Sequence, residues 1–198
     1  MEIKLMGTKI YISFLFWALI CFMIALDRTG YIFHLIIAVT IHEAAHLLMM
    51  WMCNCGPKSV RLIPASVQIV RSASRKKYGE ELIAAAGPIA NILVGSVFLI
   101  DFFISDKLWI LEFALINFCT AAFNLLPVWG LDGGLIISCI ISRKTNDPYK
   151  GERVVRIISL FFGAFFFFLG VFFCLWDKTN LSFFAIAIYL ILSSLIKQ

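Results

Sequence analysis

Apolar residues form six long stretches along the chain, separated by shorter polar segments. A helix needs roughly 17 to 25 residues to cross a bilayer, and each stretch is within or near that length. The stretches are residues 10–26, 31–53, 82–104, 108–126, 154–176 and 181–196. We therefore expect an all-α polytopic membrane protein with six transmembrane helices, numbered here as spans one to six.

Composition agrees with this class, because 62% of the residues are hydrophobic and only 15% are charged. The basic residues are concentrated before the first span and in the segments after spans two and four. They are Lys4, Lys9, Lys58, Arg61, Arg71, Arg75, Lys76, Lys77, Arg143, Lys144, Lys150 and Arg153. The positive-inside rule then places these segments and both termini in the cytoplasm of a multi-pass protein of the cell membrane. Since the net charge of +5 arises from short loops, it does not indicate binding to nucleic acid.

The first span could be a cleaved signal peptide, and the pair Cys53 and Cys55 could form a disulfide or bind a metal ion. The first span follows a basic start, as in a signal peptide, but no small-x-small cleavage site follows it, which favours an uncleaved helix. Cys53 and Cys55 fall on the reducing side, so we expect free thiols and no disulfide framework. A metal site at this pair is disfavoured because no second Cys pair accompanies it.

The segment between spans two and three, residues 54–81, is the largest polar piece. From Val60 to Arg71 it is rich in β-branched residues in partial alternation, interrupted by Pro64. The pattern predicts a short β-hairpin or edge strand on the cytoplasmic side, which an extended peptide can join. A turn with two short extended arms explains the pattern equally well.

The second span contains the residues with the clearest chemistry, His42-Glu43-x-x-His46. Two His four residues apart share one face of a helix and can bind one metal ion, while Glu43 lies beside them as a candidate general base. If a carboxylate from elsewhere in the chain is the third ligand beside the two His, the fourth position of a tetrahedral zinc stays open, as in catalytic sites. Polar groups are costly within a bilayer, so their presence indicates function.

Asp132 lies in the segment from Asn124 to Gly134, which holds Pro127 and three glycines after the fourth span. Such residues predict unwound backbone, which a membrane tolerates only when it is buried in protein or lines a wet cavity. The cytoplasmic cluster at Arg143 follows soon after, so we expect Asp132 in the cytoplasmic half of the bilayer, as we do for His46. Asn124 is a candidate for hydrogen bonding to a substrate backbone.

The third span opens with small residues around Gly87 and Pro88, which permit close helix approach and disturb the hydrogen-bond ladder. Ala44 and Ala45 on the second span offer a matching surface. Asn91 is interpreted either as a site residue or as one that keeps neighbouring helices in register.

With these motifs in view, the chain resembles the site-2 protease family of intramembrane zinc metalloproteases. The resemblance rests on the His42 motif, on Gly87-Pro88-x-x-Asn91, and on Asn124-x-x-Pro127 with Leu131-Asp132-Gly133. It covers residues 40 to 135, and the six-span pattern is closest to the compact stage IV sporulation FB-type branch.

The resemblance implies one zinc ion per chain held by His42, His46 and Asp132, with Glu43 as the base. It implies a three-helix catalytic core in spans two to four, residues 31–141, with a broken fourth helix. Residues 1–198 are expected to form a single protease domain without a PDZ or CBS domain. The expected reaction is peptide-bond hydrolysis in a membrane-tethered protein near the cytoplasmic side, such as release of a pro-sigma factor, under the control of regulatory membrane proteins.

Two other functional classes were weighed against a protease. A zinc transporter also places His and acidic residues in its spans, but it is expected to carry several ligand pairs, and this chain has three His in total. A catalytically silent binding protein or chaperone is disfavoured by the intact motif residues.

Overall fold

The structure, a computed structural model, describes residues 2–5, 8–12, 21–25, 27–54, 56–63, 66–71, 79–176 and 188. In this part of the chain, five helices have defined bounds. They are α1 (Tyr31–Met52), α2 (Gly79–Ser105), α3 (Leu108–Asn124), α4 (Asp132–Thr145) and α5 (Pro148–Trp176). Residues 21–25 are helical as well.

Three helices of the described chain are long and apolar enough to cross a membrane: α1, α2 and the Tyr149–Phe172 part of α5. They match the second, third and fifth predicted spans. Helix α3 is apolar but has only 17 residues. Most of the first predicted span and nearly all of the sixth lie outside the described residues.

The predicted fold class, an all-α protein with six transmembrane helices and a short cytoplasmic-side β-hairpin or edge strand, is wrong for the described residues. In addition to the three membrane-length helices, they contain strands β1 (Glu2–Leu5), β2 (Thr8–Ile12), β3 (Pro57–Ile63) and β4 (Ser66–Arg71). These strands form one sheet in the order β1-β2-β3-β4, in which β2 and β3 are parallel and the other pairs antiparallel. Strand β2 overlaps the start of the predicted first span. Its residues Thr8, Ile10 and Ile12 are β-branched and favour extended backbone.

Helices α1 and α2 pack against each other. Small buried residues, among them Ala38 on α1 and Ala84 on α2, let the two backbones approach closely. Met50 and Ile83 form a buried apolar cluster in the same region. Pro88 lies inside α2 and is buried, and the helix continues through it.

Helices α4 and α5 also pack against each other. Gly151 on α5 permits this packing, because a Cβ there would overlap the Ser138 carbonyl oxygen of α4. Likewise, a Cβ at Gly134 of α4 would overlap the Val128 carbonyl oxygen in the segment before that helix. A non-helical segment, residues 125–131, joins α3 to α4. It turns at Gly130, whose φ of 89° is in the left-handed region that glycine adopts without strain.

Candidate metal centre

Helix α1 carries the two candidate histidine ligands on one face. His42 and His46 are one turn apart and are buried, and Glu43 between them is half-buried. Their Nε2 atoms are 3.1 Å apart. The four-residue spacing alone brings the rings together, and α2 covers them.

The other ring nitrogen of each histidine is held by α2. His42 Nδ1 lies 2.9 Å from Asn91 Oδ1, and His46 Nδ1 lies 2.7 Å from the Ile83 carbonyl oxygen. Both partners are acceptors, so each Nδ1 donates its proton. A neutral imidazole has one N–H, and each Nε2 therefore presents a lone pair.

The direction of the Asn91 amide is set by its other contacts. Its Nδ2 donates to the Ala38 carbonyl oxygen at 3.1 Å and to Asn117 Oδ1 at 3.0 Å. With the nitrogen end thus assigned by the hydrogen-bond network, Oδ1 must face His42. Asn91 is fully buried, which makes this arrangement costly to break.

Two lone pairs facing each other in a buried site repel unless a cation lies between them. In tetrahedral coordination, with Zn–N distances near 2.0–2.1 Å, two zinc-bound nitrogens lie roughly 3.3 Å apart. The observed separation of 3.1 Å is close to that value. Donation from Nδ1 to a carbonyl or amide oxygen is also the usual support for a metal-binding histidine. The pair therefore fits a zinc ion.

Gly87 lies directly against the two imidazoles. A Cβ at this position would be 2.5 Å from His46 Nε2 and 2.7 Å from His42 Nε2. Any side chain would occupy the space in front of the ligand nitrogens. The absence of a side chain at Gly87 therefore keeps that space available.

Asp132 is the first residue of α4, where the helix dipole favours a negative charge. His42 and His46 on α1 and Asp132 at the start of α4 can each offer one ligand atom to a metal ion. Two imidazoles and a carboxylate are the donor set that zinc uses in hydrolases.

Three comparisons relate the chain to known proteins. Residues 107–169 match peptidase family M50. A zinc metalloprotease of Methanocaldococcus jannaschii is 26% identical over 172 residues, which are 81% of this chain and 47% of that protein. The structure of a site-2 protease from the same organism superposes with a TM-score of 0.72 at 21% identity, covering 98% of this chain and 93% of that one.

The chain is thus similar to peptidase family M50 over part of its length and to a site-2 protease in fold. The resemblance inferred from the motifs is confirmed at the family level, while the FB-type branch stays a prediction. The chain spans about half the length of the curated zinc metalloprotease that it matches.

The segment before Asp132 is anchored to α5. The Trp129 backbone N–H donates to Ser159 Oγ at 2.7 Å, and that hydroxyl donates to the Val155 carbonyl oxygen at 2.7 Å. The Arg156 guanidinium lies over the Trp129 ring, 4.5 Å from its centroid. These contacts fix the backbone three residues ahead of the candidate ligand.

The remaining predicted residues lie at the junction between α3 and α4. Asn124 is the last residue of α3, and Pro127 lies in the connecting segment; both are half-buried. A Cβ at Gly133 would overlap the Leu125 carbonyl oxygen, so the segment packs against the first turn of α4. Roles of Asn124, Pro127 and Gly133 in substrate binding stay predictions.

Sequence reasoning missed Asn117 and Ser159. Both are fully buried polar residues that hold parts of the candidate centre. A search of the spans for every amide and hydroxyl side chain, beyond the ionisable ones, would have found them, because a polar side chain in an apolar helix needs a partner.

Proposed function

We propose that this chain is an intramembrane zinc metalloendopeptidase that hydrolyses a peptide bond of a membrane-tethered protein. The observation that carries the proposal is the His42 and His46 pair, whose Nε2 atoms lie 3.1 Å apart with both Nδ1 atoms engaged as donors. This arrangement lies within an apolar helix of membrane-spanning length, so the candidate chemistry is in the bilayer.

The chain supplies ligands from His42, His46 and Asp132 and a base from Glu43. Zinc bound there would supply Lewis acidity, which lowers the pKa of water toward about 7 and polarises a carbonyl. Glu43 is half-buried beside the imidazoles and accepts the proton that the attacking water releases. Asn124, at the end of α3, holds the extended substrate backbone by hydrogen bonding.

The substrate is cut near the cytoplasmic face. The support for this side is the basic charge of the segments around residues 58–77 and 143–153, which the positive-inside rule assigns to the cytoplasm. Release of a membrane-tethered pro-sigma factor or other transcription factor is the corresponding biological reaction. Regulatory membrane proteins would control access to the site.

A Glu43→Gln variant tests the proposal. It removes the base while keeping the size of the side chain, so cleavage of a membrane-tethered test substrate is expected to fall by about 10²- to 10⁴-fold. Zinc content, measured on the purified protein, should stay near that of the unmodified chain. Cleavage at an unchanged rate would refute the proposal.

Glu112→Gln is the matched control. Glu112 lies on α3 and accepts a hydrogen bond from the Tyr31 hydroxyl at 3.3 Å. It has no place in the proposed reaction, so the same chemical change there is expected to leave both cleavage and zinc content intact.

A further inference from the structure

Asn117 is a fully buried amide in the apolar helix α3 and has no role in the proposed reaction. Its Nδ2 donates to the Phe113 carbonyl oxygen at 2.9 Å, and its Oδ1 accepts from Asn91 Nδ2 at 3.0 Å. Burying an amide without partners is costly, and here both ends are used. The bond to the Phe113 carbonyl fixes the orientation of the Asn117 amide. Asn117 Oδ1 is therefore directed at Asn91 and accepts from its Nδ2.

The Asn91 amide can be reversed with almost no change of shape, so only its partners decide which end faces His42. The Ala38 carbonyl oxygen and Asn117 Oδ1 are both acceptors and together hold the Nδ2 end. Asn91 Oδ1 is thereby directed at His42 Nδ1. The hydrogen bonds run from the Phe113 carbonyl on α3 to a ring nitrogen on α1.

We propose that Asn117 is a positioning residue, which acts through Asn91 to keep His42 in the tautomer whose Nε2 is free of hydrogen and able to bind a cation. The inference rests on the proposed zinc function. If Asn117 Oδ1 is removed, the Ala38 carbonyl alone holds Asn91. A reversed amide would donate to His42 Nδ1, and the ring proton would then occupy Nε2, where it competes with the metal.

The test measures the affinity of the purified full-length protein for Zn²⁺ alone, by competition with a chromophoric chelator. Asn117→Leu keeps the volume but removes the acceptor, and its zinc dissociation constant is expected to rise by about tenfold or more, as for lost partners of metal ligands. Asn117→Asp keeps an acceptor oxygen and should restore affinity to within about threefold of the unmodified chain. Unchanged affinity in folded Asn117→Leu would overturn the proposal.

Thr40→Val is the control on the ligand helix itself. Thr40 is exposed, and its hydroxyl donates to the Ile36 carbonyl oxygen of its own helix at 2.7 Å. The variant makes a similar polar-to-apolar change two residues from His42 without touching the amide network. Its zinc affinity should match that of the unmodified chain.

An Asn91→Ala background separates positioning from a general packing role. With no amide to orient, Asn117→Leu should weaken zinc binding no further, so the double variant should match Asn91→Ala alone. If the fold increases in the zinc dissociation constant of the two single variants multiply in the double variant, Asn117 acts independently of Asn91, and the proposal is overturned. If Asn117→Leu does not accumulate as folded protein, Asn117→Ala removes the same acceptor and carries the same expectation.

Failure of the proposed function would be distinguishable, because none of these measurements uses proteolysis. If the chain binds zinc but cleaves no substrate, the proposed protease function is refuted, while the zinc affinities of the variants still test the role of Asn117. If the unmodified chain bound no zinc, ¹⁵N NMR of the metal-free protein would still report the His42 tautomer. Asn117→Leu is expected to move the ring proton from Nδ1 toward Nε2, and an unmoved proton would overturn the proposal.

Discussion

At the scale of single residues, the candidate metal centre depends on which ring nitrogen of His42 and of His46 carries the proton. The spacing of His42 and His46 was sufficient to predict that their rings share a face, because helical geometry is local. The spacing did not predict their tautomers, which depend on Asn91 and on the Ile83 carbonyl, 49 and 37 residues away in the chain. Contacts of such long range depend on how α1 and α2 pack, which the hydrophobic pattern does not specify.

Gly87→Ala tests whether empty space beside the imidazoles is required. Alanine favours a helix over glycine by about 1 kcal/mol, so a purely helical role would make the variant more stable. Its Cβ would instead lie 2.5 to 2.7 Å from the two Nε2 atoms, and zinc affinity is expected to fall by about tenfold or more. Zinc titration of the purified variant measures this loss.

Gly95→Ala, further along α2, is the control for that change. There an added Cβ would contact the Phe118 ring at 3.1 Å and the Ala114 carbonyl oxygen at 3.2 Å, a tighter packing that does not involve the ligands. We expect zinc affinity to be retained in this variant. Equal losses of affinity in both variants would mean that helix packing, and not the space at the ligands, explains the result.

At the scale of elements, the apolar pattern predicted α1, α2 and α5 with small errors at the ends, because membrane-length apolar runs are a strong signal. It failed at residues 10–12, which were predicted to begin the first span and belong to β2. A short β-branched segment can belong either to a helix or to a strand. Here it pairs with β3, about 50 residues later in the chain, and such pairing depends on tertiary structure.

The start of α1 depends on Asp27. Its Oδ1 accepts from the Thr29 backbone N–H at 2.9 Å and the Thr29 hydroxyl at 2.7 Å, and its Oδ2 accepts from the Ile32 N–H at 2.8 Å. The bond from the Thr29 N–H is the largest cause of an Asp27 pKa below its usual value of 3.8. A lowered pKa in the folded state means that ionised Asp27 stabilises the fold above about pH 4, and that this contribution is lost as the pH falls through the lowered pKa.

Asp27→Asn is therefore expected to lower the unfolding temperature at pH 7, with a difference from the unmodified chain that shrinks below about pH 4. Thermal unfolding in detergent at several pH values measures it. Asp106→Asn removes the same charge at an exposed residue with φ of 50°, a conformation that asparagine also tolerates. This control should show no such pH-dependent difference, and a similar one would mean that net charge explains the effect.

Ser159 determines how the segment before α4 is held. Ser159→Ala removes the acceptor of the Trp129 N–H and leaves that group without its partner, at an expected cost of about 1–3 kcal/mol in the free energy of unfolding. Ser96→Ala is a suitable control, because the Ser96 hydroxyl bonds only to the Ile92 carbonyl of its own helix among the contacts described. A loss within about 0.5 kcal/mol is expected for this control. Denaturant unfolding in detergent compares the two, and equal effects would contradict the anchoring role.

At the scale of the whole molecule, the proposed orientation in the membrane rests on the charge of the loops. A helix that crosses the bilayer has its two ends on opposite sides, and α2 separates Gly56 from Lys107. The basic residues near Gly56 outnumber those near Lys107, which is flanked by Asp106, so the positive-inside rule assigns Gly56 to the cytoplasm. The proposed cleavage near the cytoplasmic face depends on this assignment.

Cysteine labelling of whole cells tests the orientation directly. In a chain whose six cysteines have been replaced, Gly56→Cys introduces a thiol where an added Cβ meets nothing within 4 Å, and Lys107→Cys introduces one at an exposed position. A membrane-impermeant maleimide should label Lys107→Cys in intact cells and Gly56→Cys only in inside-out vesicles. Lys144→Cys, exposed at the end of α4, should behave as Gly56→Cys does. The opposite pattern would place the basic segments outside and would require the substrate bond to be cut near the outer face.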